Sequence, residues 1–385
     1  MLLNSKLPNV GTTIFSTMTA LSEAHQAINL AQGFPDFPSS PRLIELVGQY
    51  MRKGFNQYAP MPGVPALRER IAEKVEALYN IQIDPIPEIT ITAGGTQALF
   101  TAISAFVHPG DEVIILEPAY DSYRPAIELA GGIVKAFELS PPDYRPDWEQ
   151  LKKLISMHTR MIIINTPHNP TGTILYQEDM QRLEQLLRDT NILLLSDEVY
   201  EHLVFDGQAH HSILRYPGLR ERGIAVFSFG KTFHNTGWKI GYCIAPPALT
   251  TEFRKVHQFN VFSVNTPIQH ALAEFMSDPF EYLSLGTFYH HKRDFFLDTL
   301  ENSPFRPLQC SGTYFQLCDY SAVSEEPDTD FARRLTTEFG VAAIPVSAFY
   351  NSHRDERLLR FCFAKQEQTL ERAGELLQKV PCCVR

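Results

Sequence analysis

Short, almost continuously apolar runs alternate along this chain with longer stretches in which apolar residues recur every three or four positions. The runs are Ile89–Ala93, Glu112–Leu116, Met161–Asn165, Ile192–Ser196, Ile224–Ser228 and Lys239–Ile244. Runs without polar alternation predict strands covered on both faces. Helices are predicted between them. Pro65 to Asn80 has proline in its first turn and repeats Leu67, Ile71, Val75 and Leu78 on one side. Thr96 to Val107 is apolar nearly all round and reads as a buried helix, and Glu178 to Asp189 lines up Leu183, Leu186 and Leu187. The alternation predicts an α/β domain with a mostly parallel sheet over about residues 43–280. Residues 281–385 carry helical patterns and short strands at Thr313–Asp319 and Leu358–Phe363; together with residues 1–42 they predict a smaller second domain. The first forty residues are rich in loop signals, above all Gln32-Gly33-Phe34-Pro35-Asp36-Phe37-Pro38. That stretch is too dense in Gly and Pro for regular structure and is expected to cross the domain junction. There is no internal repeat and no low-complexity tract.

Composition narrows the class. The chain has 385 residues, 44% apolar and 20% charged, enough for a sizeable core without staples. A net charge of −10 argues against nucleic acid or anionic membrane as the main partner. No apolar run approaches the roughly 18 residues of a membrane span, and Met1 to Gly11 does not read as a signal peptide. The six cysteines, Cys243, Cys310, Cys318, Cys362, Cys382 and Cys383, form no spaced pair. They read as reduced thiols of a cytoplasmic protein.

In open α/β sheets, ligands sit beyond the carboxyl ends of the strands. Here those ends lead into Gly94-Gly95-Thr96-Gln97, Glu117-Pro118-Ala119-Tyr120, Asn165 with His168-Asn169-Pro170-Thr171-Gly172, Asp197-Glu198-Val199-Tyr200, and Ser228 with Gly230-Lys231-Thr232. The first opens a helix, whose free N–H groups and dipole suit an anion, although Gly is also common in tight strand-to-helix turns. Asp197 is either a solvated strand-end acid or a carboxylate that keeps a pyridine nitrogen protonated. Asn169-Pro170-Thr171-Gly172 is by composition a turn. Tyr120 either packs or stacks on a planar ligand, and Tyr200 either packs or bonds a phenolate oxygen. Lys231 follows its strand so closely that a free surface position is not expected. Desolvation and a nearby cation lower an amine's pKa and make it a usable nucleophile and base, and Lys239 is placed to be that cation.

Three other motifs compete. Ala225 to Thr232 misses a nucleotide-phosphate loop only by its first glycine, but the intervening residues look like strand. Glu198-Val199-Tyr200-Glu201-His202 is a near match to a metal-binding helix motif with Glu in place of the first His, so no metal site is expected. His210-His211 and His290-His291 are sequence neighbours whose side chains diverge, which predicts surface positions.

Six segments together resemble the fold-type I, class I/II pyridoxal-phosphate aminotransferases over nearly the whole chain. They are Asn29 to Asp36, Tyr58 to Gly63, Asn165 to Gly172, Ser196 to Tyr200, Ser228 to Thr232 and Leu359 to Ala364. Within that family the chain is most similar to the methionine aminotransferase and kynurenine aminotransferase/glutamine transaminase K branch. The resemblance implies a large domain on a mixed, mostly parallel seven-stranded sheet and a smaller α+β domain. It implies that Lys231 bonds the cofactor and then moves the substrate Cα proton. Asp197 would face the ring nitrogen, Asn169 and Tyr200 the ring oxygen, and Tyr120 the ring face. Gly95, Thr96, Gln97, Ser228 and Lys239 would hold the phosphate, with Tyr58 arriving from the second subunit of a homodimer. Arg360, helped by the Gly33 backbone, would grip the substrate carboxylate, and Phe15, Phe34, Phe262 and Phe349 would line the side-chain pocket. Lys239 stands where aspartate aminotransferases usually carry Arg, which argues weakly against an aspartate specialist. The implied reaction is ping-pong amino transfer from an apolar, sulfur-containing or aromatic amino acid to a 2-oxo acid. β-Elimination from a cysteine conjugate on the same cofactor is the nearest alternative. A catalytically silent ligand-binding protein and a phosphate-loop nucleotide enzyme are the more distant ones.

Overall fold

The computed structural model describes residues 4–382; Met1 to Leu3 and Cys383 to Arg385 lie outside the described residues. A seven-stranded sheet runs in the order Ile89–Thr92, Gly241–Ile244, Gly223–Ser228, Leu193–Asp197, Thr159–Asn165, Glu112–Glu117, Ile133–Glu138. Gly241–Ile244 is antiparallel to both neighbours, and every other pairing is parallel. The expected mixed, mostly parallel α/β sheet is therefore present.

The continuous apolar runs have the expected cause. Ile114, Ile162, Leu194 and Phe227 face one core cluster, while Val113, Met161, Leu195 and Val226 face the other. Both faces are covered, so the middles of the central strands are apolar and polar residues gather toward their ends. Register then aligns the ends: Asn165 lies beside Asp197, and Ser228 and Thr92 both pair with Gly241. The helix Gly95–Phe106 follows the first of these strands and has no side-chain cap at Gly94. Its first N–H groups consequently open toward the strand ends.

A four-stranded sheet, ordered Ile344–Pro345, Leu358–Cys362, Phe315–Asp319, Arg306–Pro307, forms the second layer of structure. It puts Arg360 opposite Leu317 and Ile344. The Gln32–Pro38 stretch is irregular, as expected. It touches Lys231 and Tyr314 through Gly33, and Gln366 and Thr369 through Asp36.

Some expectations need correction. The loop-rich N-terminal region contains a helix, Ile14–His25, capped by the Thr13 hydroxyl and closed by left-handed Gln26. Its Ser and Thr residues compete for backbone hydrogen bonds and mask the helical signal. Ile133–Glu138 was absent from the predicted strands because, at the sheet edge, it buries no position fully. The strand expected from Thr313 starts at Phe315, since Thr313 takes a left-handed φ of 68°. His210 is not a surface residue: its ring bonds the buried Glu198 carboxylate at 2.9 Å. The segment resembling a nucleotide loop is a strand followed by the helical turn Phe229–Thr232.

Candidate active site

The strand ends, the uncapped helix and Arg360 converge on a cavity of about 280 Å³. Its lining includes Phe15, Gly33, Gly95, Thr96, Tyr120, Asn169, Asp197, Tyr200, Ser228, Lys231, Lys239 and Arg360. Twelve residues expected from the sequence are thus brought to one place from widely separated parts of the chain.

At the back, Asp197 ends its strand 4% exposed. Tyr123 donates to Oδ2 at 2.6 Å, and the Val199 N–H approaches Oδ1 at 3.4 Å. Burial pushes the Asp197 carboxyl up to about 6, against the lowering effect of the Tyr123 bond. A buried acid held this way gains from an opposing cation.

Lys231 projects from the helical turn after Ser228. Its Nζ donates to the Gly33 carbonyl at 3.0 Å and to the Tyr314 hydroxyl at 2.6 Å. Removal from water lowers its amine to about 8, and the positive charges of Arg360 and Lys239 push the same way.

An anion cradle lies on the other side. Gly94 takes φ +84°, and a Cβ added there would come 3.6 Å from Lys239 Nζ. Lys239 is itself left-handed at φ 53°. Thr96 and Tyr120 share a hydroxyl contact at 3.2 Å, and Ser228 lines the same wall. A cluster of donors with a helix N-terminus and no acid among them suits a phosphate.

Arg360 is 1% exposed. Its Nη1 donates to Asn169 Oδ1 at 2.7 Å and its Nη2 to the Ala31 carbonyl at 3.0 Å, while its Nε has no partner. The guanidinium lies 3.8 Å from the Phe315 ring centroid, with Phe349 and Phe15 also close. Burial lowers its pKa to about 10. No carboxylate salt-bridges it among the described residues. Buried charges are normally paired, so this one calls for an anion from outside the chain.

Five expected residues do not line the cavity. The Gln97 side chain turns away to Ala93 N, Thr101 and His257. Tyr58 is 80% exposed and stands edge-on to Phe262, itself left-handed and outside the cavity. Phe34 lies under Lys365. Phe349 is one layer behind, against Phe15 and Arg360. The Gly33 carbonyl is committed to Lys231, which leaves only its N–H for an anion. Tyr123 and Tyr314 were missed. They reach the site only through contacts 74 and 83 positions apart in sequence, and no local motif marks them.

Residues 25–377 match the family model described as aminotransferase class I and II. The chain is 53% identical to the methionine aminotransferase of Escherichia coli K12 over 377 residues, covering 98% of both chains. It is 34% identical to a kynurenine–oxoglutarate transaminase of Dictyostelium discoideum, covering 96% of this chain and 94% of the relative. The solved structure of YbdL from Escherichia coli, described as having a methionine aminotransferase function, superposes with a TM-score of 0.97 at 53% identity, over 98% of this chain and 100% of that one. The chain belongs to the class I and II aminotransferase family. These matches favour transamination over elimination and over a silent binding role.

Proposed function

We propose that this protein is a pyridoxal-phosphate-dependent aminotransferase that takes the α-amino group of methionine-like, apolar or aromatic L-amino acids and passes it to a 2-oxo acid. The observation that carries the reading is the meeting of an amine of lowered pKa, a buried carboxylate, a phosphate cradle and an unpaired buried guanidinium in one cavity.

Residues 94–97, Ser228 and Lys239 would hold the phosphate, Asp197 the ring nitrogen, Asn169 and Tyr200 the ring oxygen, and Tyr120 the ring face. When bound, pyridoxal phosphate supplies an electrophilic carbon and a protonated ring that accepts the electron pair left at the substrate Cα. Arg360 grips the substrate carboxylate with its planar fork and fixes the direction of the Cα–H bond. Lys231, with its amine free, would remove the Cα proton at Nζ and hold it for return. Asp197, steadied by Tyr123, keeps its negative charge against the ring nitrogen.

Substrate choice follows from the lining. Phe15, Leu99, Ile240 and Phe315 are apolar, and the only cations in it are Lys231, Lys239 and Arg360, all already assigned. A side-chain carboxylate finds no further partner there. The test is a half-reaction screen: the coloured protein is mixed with single amino acids and no acceptor, and the appearance of the 2-oxo acid and the loss of the visible band are followed. Methionine and aromatic amino acids are expected to convert faster than aspartate. The reverse order would contradict the substrate assignment.

Arg360→Gln is expected to lower kcat/KM for the amino acid by roughly 10–100-fold, mainly through KM, since a charged hydrogen bond contributes about 1.5–3 kcal/mol. Steady-state kinetics with methionine measure it.

The same reading includes a homodimer and a cytoplasmic location. Tyr58, Phe55 and Met51 expose large apolar groups on the segment before the cradle, which supports a covering second copy with Tyr58 reaching its phosphate site. Sedimentation is expected to give about twice 43.7 kDa; a mass of one chain would contradict it. Free Cys243, Cys310, Cys318, Cys362 and Cys382 fit a reducing compartment. No helix among the described residues is long and apolar enough to cross a membrane.

A further inference from the structure

The Lys231 amine is held at two points by neighbouring oxygens. Its amine, the Tyr314 hydroxyl and the Gly33 carbonyl form a closed triangle: Lys231 donates to both oxygens, at 2.6 and 3.0 Å, and Tyr314 donates to the carbonyl. Neither oxygen is free to drift. Tyr314 is fully buried, packed edge-on against Tyr200 at 5.1 Å and against Phe315 at 4.9 Å. The loop bearing Gly33 is tied down by Asp36, which accepts from Gln366 N at 2.6 Å and Thr369 Oγ1 at 2.7 Å, and by Lys365, which donates to the Phe34 carbonyl at 2.8 Å. A Cβ on residue 33 would fall 2.7 Å from Phe315 Cζ, so glycine is what lets the loop approach this closely.

The direction of these bonds matters. A phenol has one proton to give. Tyr314 gives it to the Gly33 carbonyl, and toward Lys231 it can then only accept. A neutral primary amine has two N–H groups and one lone pair. The two oxygens take the two N–H groups, and the lone pair is left for the cavity that Lys231 lines. Burial keeps the Tyr314 phenol protonated, which preserves this polarity.

We propose that Tyr314 and the Gly33 carbonyl form a seat that receives the Lys231 amine whenever it is released from the cofactor, with Tyr314 as the positioning residue that turns the amine's lone pair toward the substrate Cα proton. The proposal rests on Lys231 being the proton-moving amine of the reaction proposed above. Tyr314 takes no part in attachment, so its effect is confined to steps in which the amine is free.

The test uses Tyr314→Phe in the cofactor-loaded protein and in the cofactor-free full chain. In the loaded protein, borohydride is expected to fix the cofactor to Lys231 as it does in the unsubstituted protein. The amino acid's Kd stays within about twofold, while the single-turnover rate constant of its half-reaction falls about tenfold or more. With α-deuterated substrate the isotope effect on that step rises. In the cofactor-free chain, covalent labelling of residue 231 is followed against pH by peptide mass. Loss of an acceptor that favours the ammonium form moves the labelling midpoint down. A half-reaction rate within twofold of the unsubstituted protein overturns the seat, as does a slowed reaction with an unmoved midpoint. Should Tyr314→Phe fail to fold, Tyr314→Met, flexible enough to fill the same space, is read by the same two measurements. Failure of the underlying reading looks different: the unsubstituted protein would then carry no reduced cofactor on residue 231.

Discussion

Replacing Lys231 with alanine is expected to leave a folded protein that still holds some cofactor but has lost at least about 10³-fold in turnover. The cradle at residues 94–97, the Asp197 carboxylate and the Asn169 amide do not depend on Lys231, so binding persists. Proton transfer does depend on it. Among the cavity's other cations, Lys239 lies beside Gly94 and the Arg360 guanidinium is engaged with Asn169 and Ala31. Neither can replace a base of lowered pKa. Turnover of methionine with a 2-oxo acid, together with the visible spectrum after gel filtration, checks both halves of the expectation. Unchanged turnover would remove Lys231 from the mechanism.

Asp197→Asn is expected to move activity and stability in opposite directions. In the cofactor-free chain the Asp197 carboxyl is raised to about 6 by burial. Between its unfolded value of about 3.9 and that folded value, the folded state binds more protons than the unfolded one. Stability therefore falls as pH rises through that window, and the full penalty remains above it. The shift corresponds to roughly 2–3 kcal/mol at 1.36 kcal/mol per unit. Asparagine keeps an acceptor for Tyr123 and carries no charge. The cofactor-free variant should thus melt on the order of 3 °C higher at pH 8, with the difference vanishing near pH 4. Turnover should fall by about 10²-fold or more, because nothing then holds the ring nitrogen protonated. Paired melting curves at the two pH values and steady-state kinetics measure this. A variant that melts lower at pH 8 would contradict the burial argument.

Much of this candidate site is legible in the sequence, for a physical reason. Strands covered on both faces are mostly apolar, so the polar residues that end them, such as Asp197 and Ser228, mark the carboxyl ends where ligands bind. The edge strand Ile133–Glu138 lacks that constraint and left no comparable trace. Side-chain direction was also hidden. Gln97 sits in the right turn, yet its amide reaches Thr101 and His257. His210 pairs with Glu198 across twelve residues, and Tyr123 and Tyr314 join the site over still longer separations. Such contacts are set by tertiary packing, and no periodicity encodes them. Tyr58 illustrates another limit, since its exposed ring has meaning for the site only if a second copy covers it.

The central claim is a covalent one and is most directly tested by reduction. The protein is treated with borohydride, digested, and the lysine-containing peptides are weighed. The account predicts the mass of one reduced pyridoxyl phosphate on the peptide bearing Lys231, with Lys239 unmodified. An unmodified residue 231, or a label on any other lysine, would contradict it.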